Sequence, residues 1–349
     1  MNTIEIDPLS AYIATKCGEA YNKHCPSGHS RLTSTASSSV KESIMPNISV
    51  IMSTYKENAA LVEASIDSVL RQTYCDFEFL IVIDCPDNQP VIDLAYRKQI
   101  EDDRITVIQN EHNLGLVNSL NRALGKAKGN YICRMDADDI SEPNRIESQL
   151  SFLTSNELDL VGGRMSIIDE SGAYLYDIPQ PPITPNAVDR ALRWNNCVPH
   201  PTWLGKASAF AQGYREIPLC EDYDFLLRAS MAGLKIGNCN QEILKYRMTS
   251  ESISRSSLFR QYLYQRYITK EFRKNRAADP REANIYVDAA YSEAKAIRYS
   301  KANDIFNNAL ASLGKRRYFK ASAYSAELLF CSINYLNKML RLALAALAS

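Results

Sequence analysis

The sequence predicts an α/β fold: a mostly parallel central sheet flanked by helices, followed by a helical subdomain at the C-terminus. Three observations carry this expectation. Apolar, β-branched runs alternate with segments of helical spacing from Asn47 to about Asp139, two of those runs (FEFLIVID and NYICRMD) end in an acid, and from about Ser256 to Ser349 nearly everything has helical spacing. Such alternation implies parallel strands covered on both faces, with ligands bound outside the carboxyl ends of the strands.

Each element follows in order. Residues 1–45 have weak periodicity and end in the polar stretch STASSSVKES, which reads as a linker after a flexible extension. Cys17, His24, Cys25 and His29 cluster there, but the spacing fits no usual zinc pattern. ISVIMS then reads as a strand, EASIDSVLRQ as a helix and FEFLIVID as a second strand; ITVIQN, LVNSLNRALGKA and NYICRMD repeat the pattern. Beyond Asp139, RIESQLSFL is a helix, LDLVGGRMSII a strand pair or one bent strand, and IPQPPITP an irregular surface loop. A helix around VDRALRW and an acidic helix start at CEDYDFLLRASMAG complete this region, and in the tail only Pro280 and Gly314 are evident breakers.

Composition narrows the function. The chain has 349 residues, 46% of them hydrophobic, which is enough to bury a large core. Forty basic residues balance forty acidic ones, so overall charge does not favour nucleic acid as a ligand. Nine scattered cysteines read as reduced, cytosolic usage. The first residues resemble no secretory signal, and no run reaches the roughly 20 apolar residues of a spanning helix. A cytoplasmic protein that touches a membrane surface is the expectation.

The densest chemistry lies in RMDADDIS, where Asp136, Asp138 and Asp139 crowd the end of a strand. Carboxylates so placed repel one another unless a cation joins them. Mg2+ or Mn2+ suits oxygen ligands and usually binds through one or two carboxylates plus substrate phosphates, which implies a diphosphate ligand. The same string would also serve as a solvated turn, with Asp139 or Ser141 capping the next helix. Ser53, Thr54 and Tyr55 after the first strand, and Asp84 at the end of the second, face the same edge, although strand ends also carry such residues for turn chemistry.

At this point the chain resembles a known family. NLGLVNSLNRALGKAKGNYICRMDADDISEPNRIESQLSFL, the opening ISVIMSTYKEN, and then HPTW, GYRE, EDYDFLLR and LKYRMTSESIS are similar, in order and spacing, to inverting family 2 glycosyltransferases of the GT-A fold, particularly bacterial enzymes of capsule, exopolysaccharide and O-antigen assembly. The likeness spans about Asn47 to Ser254. It implies a catalytic domain over 46–255 and a helical subdomain over 256–349. It also implies nucleotide contacts from Ser53, Thr54, Tyr55, Asp84 and Asp136, metal ligation by Asp136 and Asp138, and Asp222 as catalytic base.

Other roles implied by the resemblance are less specific. Glu221 orients Asp222 or contacts the acceptor, and without the resemblance both acids would read as a helix start favoured by the macrodipole. His200 lines the acceptor side or is structural. Asn118 and Asn121 read as solvated or capping residues, with nucleotide contact the alternative. Relatives often show Tyr-Arg-x-His after the base helix, whereas this chain has Tyr246, Arg247, Met248 and Thr249, leaving Arg247 as the candidate for phosphate. The base needs no unusual pKa, since it acts only as bond breaking makes the hydroxyl acidic.

The implied partners are a nucleotide-diphosphate sugar, with a UDP-sugar expected, and a glycan or polyprenyl-linked acceptor. A non-catalytic nucleotide-sugar-binding scaffold and a sugar nucleotidyltransferase are the competing readings; the second lacks its glycine-rich, basic phosphate loop, where STYKEN stands instead. In the tail, Leu329, Ile333, Leu336, Leu340, Leu344 and Leu347 recur at helical steps, with Lys338 and Arg341 between them. That stripe would pack against neighbouring helices or dock on an anionic membrane face.

Overall fold

The computed structural model describes residues 46–248, 257–314 and 317–348, so the expected extension over 1–45 and Thr249 lie outside the described residues. Strand β1 (Ile48–Thr54), helix α1 (Ala59–Leu70), β2 (Phe77–Ile83), α2 (Gln89–Glu101), β3 (Ile105–Gln109), α3 (Leu116–Leu124) and β4 (Tyr131–Asp136) follow in turn. β1 pairs in parallel with both β2 and β4, and β2 with β3. Val50 and Met52 face one apolar cluster while Ile51 faces the other, as strand alternation requires when both faces are covered.

The rest of the sheet mixes directions. β5 (Ile140–Ser141), α4 (Arg145–Ser155), β6 (Leu160–Ile168), β7 (Tyr174–Asp177), α5 (Pro185–Leu192), β8 (Leu204–Lys206), α6 (Glu221–Met231) and β9 (Ile236–Arg247) complete it. The order is β3-β2-β1-β4-β8-β6-β9-β5, with β7 off β6. β6 and β9 are parallel, but the short β8 is antiparallel to both β4 and β6 and splices two parallel blocks together. LDLVGGRMSII forms one strand, whose register against β9 shifts around Arg164.

This order forces the sheet to curl. β4 and β5 stand four strand positions apart, a span of about 19 Å if the sheet were flat. Yet only Ala137, Asp138 and Asp139 join them, and four Cα steps reach about 14 Å at most. The far edge therefore returns toward β4. The acidic segment is the link that closes it.

Among the described residues five helices follow: α7 (Leu258–Arg273), α8 (Pro280–Ala290), α9 (Glu293–Gly314), α10 (Tyr318–Cys331) and α11 (Ile333–Ala348). Pro280 opens α8 behind Asp279, whose carboxylate caps two backbone N–H groups, and Gly314 ends α9. Extended backbone at Ser332 separates α10 from α11 and cuts Leu329 off from the expected leucine stripe, whereas Ile333, Leu336, Leu340, Leu344 and Leu347 share one side of α11 that is not its buried side. Leu329, Ile333, Leu340 and Leu347 are exposed, and α11 instead buries Tyr335, Arg341 and Ala345. Tyr262, Tyr299 and Tyr335 from these helices share one apolar cluster with Ile51, Trp203 and Phe225.

Candidate active site

Strand alternation builds the floor of the site. Ile132, Arg134 and Asp136 point to one face of β4, and the register sets Asp136 beside Ser53 of β1. Arg134 is only 3% exposed and forms an ion pair with Asp136, and its Nε has no hydrogen-bond partner. Ser65 donates to the Asp136 carbonyl at 2.8 Å. A buried cation thus sits directly under the acids.

The link between β4 and β5 holds the other acids. Burial first, then the charges of Asp136 and Glu57, push Asp138 up to about 7. Burial, Asp136 and Asp138 also hold Asp139 well above the usual carboxylate range. The Arg247 backbone N–H donates to Asp139 at 2.8 Å, and the Arg247 guanidinium donates to the carbonyls of Asp138, Asp169 and Glu170. Arg247 therefore ties the acidic segment to the end of β9.

Helix α6 supplies a second set of acids at its N-terminus, where the macrodipole favours negative charge. Asp224 is buried between Arg215 and Arg228, with contacts of 2.5 and 2.8 Å, and so serves the fold. Glu221 and Asp222 are half-buried. The Tyr223 N–H donates to Asp222 at 2.6 Å, and the Asn196 amide donates to its other oxygen at 2.8 Å. Val198 N–H donates to the Asn196 carbonyl oxygen at 3.0 Å, which aims the amide nitrogen at Asp222.

Burial pushes Asp222 up to about 6, against the lowering effects of the Tyr223 N–H, Arg134 and Asn196. Burial and Asp222 push Glu221 up to about 7. The Arg134 charge opposes the rise at Asp138, Asp139, Glu221 and Asp222 alike, so one guanidinium lies within electrostatic reach of both acid sets. Just before α6, Leu219 adopts a left-handed φ of 63°, a conformation that costs a bulky residue about 1–2 kcal/mol. Gln261 of α7 holds its carbonyl at 3.2 Å.

The remaining expected residues divide. Ser53 and Tyr55 are half-buried, and the Lys56 ammonium lies 5.0 Å from the Tyr55 ring centre. Thr54 is buried, with its hydroxyl donating to Glu57 at 2.7 Å. Asp84 is 2% exposed and accepts from Asn110, Leu114 and Gly115, shaping the loop before α3. His200 is buried, bonded to Tyr214 at 2.9 Å and packed on Trp203; burial and the Arg134 charge keep it neutral. Asn121 bonds Tyr214 backbone groups in both directions, and Asn118 donates to Glu216 at 2.8 Å.

Sequence reasoning missed Arg134, Asn196 and Glu57. Arg134 carried a signal, a charge alternating with Asp136 in an otherwise apolar strand. Glu57 follows β1 within STYKEN, at the same sheet edge. Asn196 carried none.

The acids suit a hard divalent cation. Among the described residues no group of three or more His, Cys, Asp or Glu side chains forms a closed metal cage. Asp138, raised first by burial and then by the neighbouring Asp136 charge, instead fits Mg2+ or Mn2+ shared with Asp136 and completed by substrate phosphates. A separate cavity of about 500 Å³, lined by Asn47, Tyr74, Tyr131 and Glu147 among others, lies at the amino ends of β1 and β4, away from these acids.

An α/β sheet with acids gathered at the carboxyl edge of β4 is the architecture of GT-A sugar transferases. A S. aureus TarS fragment in complex with UDP-GlcNAc superposes with a TM-score of 0.52 at 18% identity, covering 69% of this chain and 70% of that one. The mannosyltransferase PcManGT from Pyrobaculum calidifontis, in complex with GDP-Man and Mn2+, gives a TM-score of 0.54 at 16% identity and covers 97% and 93%. These likenesses establish the shared fold. The family model for glycosyl transferase family 2 matches residues 49–213. An uncharacterized glycosyltransferase of Methanocaldococcus jannaschii is 32% identical over 240 residues, 68% of this chain and 83% of that protein. The O-antigen biosynthesis glycosyltransferase WbnJ of Escherichia coli is 32% identical over 238 residues, 67% and 91% respectively. The chain belongs to glycosyl transferase family 2.

Proposed function

We propose that this protein transfers a sugar, with inversion, from a nucleoside-diphosphate sugar to a glycan or polyprenyl-linked acceptor in surface-polysaccharide biosynthesis. The observation that carries this reading is the shared cation: the buried Arg134 pairs with Asp136 on β4, and its charge also reaches Asp222 at the start of α6, which supports donor-side and acceptor-side acids addressing one space. Residues 46–255 are the catalytic domain in this reading, and 256–349 a helical subdomain that buttresses it. The O-antigen relative supports the polysaccharide assignment, and the UDP-GlcNAc complex of TarS supports a UDP-sugar.

Asp136 and Asp138 would hold Mg2+ or Mn2+, which neutralises charge on the departing nucleoside diphosphate. Ser53 and Tyr55 flank the nucleotide, and Asp84 has one acceptor site left for a base donor after its three bonds. Asp222, ionised above about pH 6, takes the acceptor hydroxyl proton as that oxygen attacks the anomeric carbon from the opposite face. The base needs no unusual pKa, and burial tunes this carboxylate nearer neutrality. Asn196 and the Tyr223 N–H hold both carboxylate oxygens, leaving outer lone pairs for the proton. Glu221, one residue away, contacts the acceptor. Thr54 and Arg247 act by fixing Glu57 and the acidic segment, and His200 shapes the wall between Trp203 and Tyr214.

Six of the seven described cysteines are free thiols and Cys75 is disulfide-bonded, so the cytoplasmic setting of this reading rests on where nucleotide sugars are available and not on the thiols. The direct test is release of nucleoside diphosphate from UDP-, GDP- and dTDP-sugars, with and without Mn2+ or Mg2+ and lipid-linked acceptors. Metal-dependent release that Asp222→Asn cuts by about 10²–10⁴ is the expected result. A folded protein that binds donor but never turns it over would replace this reading with a scaffold.

A further inference from the structure

Helix α10 carries an apolar face directed at solvent. Phe319, Ala323, Ala326 and Phe330 follow one another at steps of four, three and four, which stacks them along one side of the helix. All four are exposed, Phe319 at 90% and Phe330 at 91%. Tyr318, Leu329 and, beyond the break, Ile333 are exposed around them. Isolated surface aromatics are ordinary, but a stripe of this length marks an interaction surface.

Charge selects the occupant. The whole chain is balanced, yet residues 293–349 hold nine Lys and Arg against three Asp and Glu. Arg317 and Lys320 are exposed on either side of Phe319, and Lys315 and Arg316 precede them in sequence. The only acid on α10, Glu327, is met by Lys301 of α9 at 3.4 Å. A second copy would set this basic surface against itself, like against like. An anionic bilayer instead receives aromatics at the acyl boundary and bases at the headgroups.

We propose that α10 docks the protein in the plane of an anionic lipid bilayer, with Phe319 and Phe330 entering the interface and Arg317 and Lys320 meeting headgroup phosphates. Contact lies in the plane, because no helix among the described residues is long and apolar enough to cross a membrane. The inference does not depend on the glycosyl-transfer reading. Either can fail alone, since docking is read without any sugar donor.

The test is cosedimentation of the full chain with phosphatidylcholine vesicles, with and without phosphatidylglycerol. The wild type should sediment with the anionic vesicles and be released by salt, and the Phe319→Ser/Phe330→Ser double variant should lose at least about tenfold in partitioning, as interfacial burial of two rings requires. An Arg317→Glu/Lys320→Glu variant should lose the preference for anionic lipid. Phe330→Trp, which preserves bulk, should show blue-shifted fluorescence on anionic vesicles alone. Equal sedimentation of wild type and both double variants, absence of binding, or a dimer in light scattering that the Phe double variant dissociates would each overturn the proposal.

Discussion

The Asn196 side-chain amide donates to an Asp222 carboxylate oxygen at 2.8 Å, joining the loop after α5 to the first turn of α6. This bond favours the ionised form of Asp222 against the burial that raises it to about 6. Asn196→Ala should therefore move the acid limb of kcat/KM to higher pH and lower the rate at neutral pH. Asn196→Asp should move it further, since a second carboxylate replaces the donor. A pH-rate profile checks both, and an unmoved acid limb in Asn196→Ala would mean that Asp222 does not carry that titration.

Two substitutions separate the halves of the site. Asp222→Asn should leave donor affinity near that of wild type and reduce transfer by about 10²–10⁴, the usual range for loss of a general base. Asp138→Ala should abolish metal-dependent turnover, because Asp136 alone remains and is already paired with Arg134. Calorimetry of donor binding with and without Mn2+ checks the pair. Equal wild-type affinity in both conditions counts against the metal role of Asp138.

How far these residues could be read in advance depended on period and reach. The block β3-β2-β1-β4 was legible because apolar runs and helical spacing alternate, and Asp136, Asp138 and Asp222 stand inside recognisable strings. The three-residue β8 was not, since LGK has no periodicity and exists only because β4 and β6 flank it. Asn196 escaped for a related reason: its role depends on a bond across 26 residues. The break at Ser332 was hidden because helical spacing continues through it, although the backbone there is extended.

Stability should depend on pH in a definite direction. Glu221 and Asp222 have pKa values raised in the folded chain to about 7 and about 6, so their neutral forms favour folding below the unfolded values near 4. That contribution is lost as pH rises through about 6–7. Asp138 and Asp139, also raised, add to that fall, and His200, held neutral in the fold, opposes it below its unfolded value near 6.5. Asp102 and Asp159 have lowered pKa values, so their loss comes only at lower pH. Between pH 5 and 7.5 the protein without divalent cation should therefore melt at lower temperature as pH rises, and Glu221→Gln/Asp222→Asn should flatten that slope. Thermal melts across the range test this, and a slope unchanged in the double variant sinks it.

The last helix should reach Asp222 through the backbone. Three successive carbonyls at the end of α5 and just beyond it are held from different helices: Leu192 by Tyr223 of α6 at 2.7 Å, Arg193 by Arg273 of α7 at 2.9 and 2.7 Å, and Trp194 by Arg341 of α11 at 2.8 Å. Arg341 is 7% exposed, and Trp194 lies two residues before Asn196. Removing Arg341 leaves a carbonyl unpartnered and a void in a shared core, so Arg341→Ala should destabilise by about 2–3 kcal/mol. A merely structural role would stop there. Because the same segment aims Asn196, Arg341→Ala should also shift the acid limb of kcat/KM upward, in the direction of Asn196→Ala. In the double variant the two pH shifts should fail to add, since both act through one hydrogen bond. Arg341→Lys, which keeps a donor within reach, should recover part of the shift. A loss of melting temperature with no change in the pH profile would confine Arg341 to the fold and leave Asn196 positioned by its own loop.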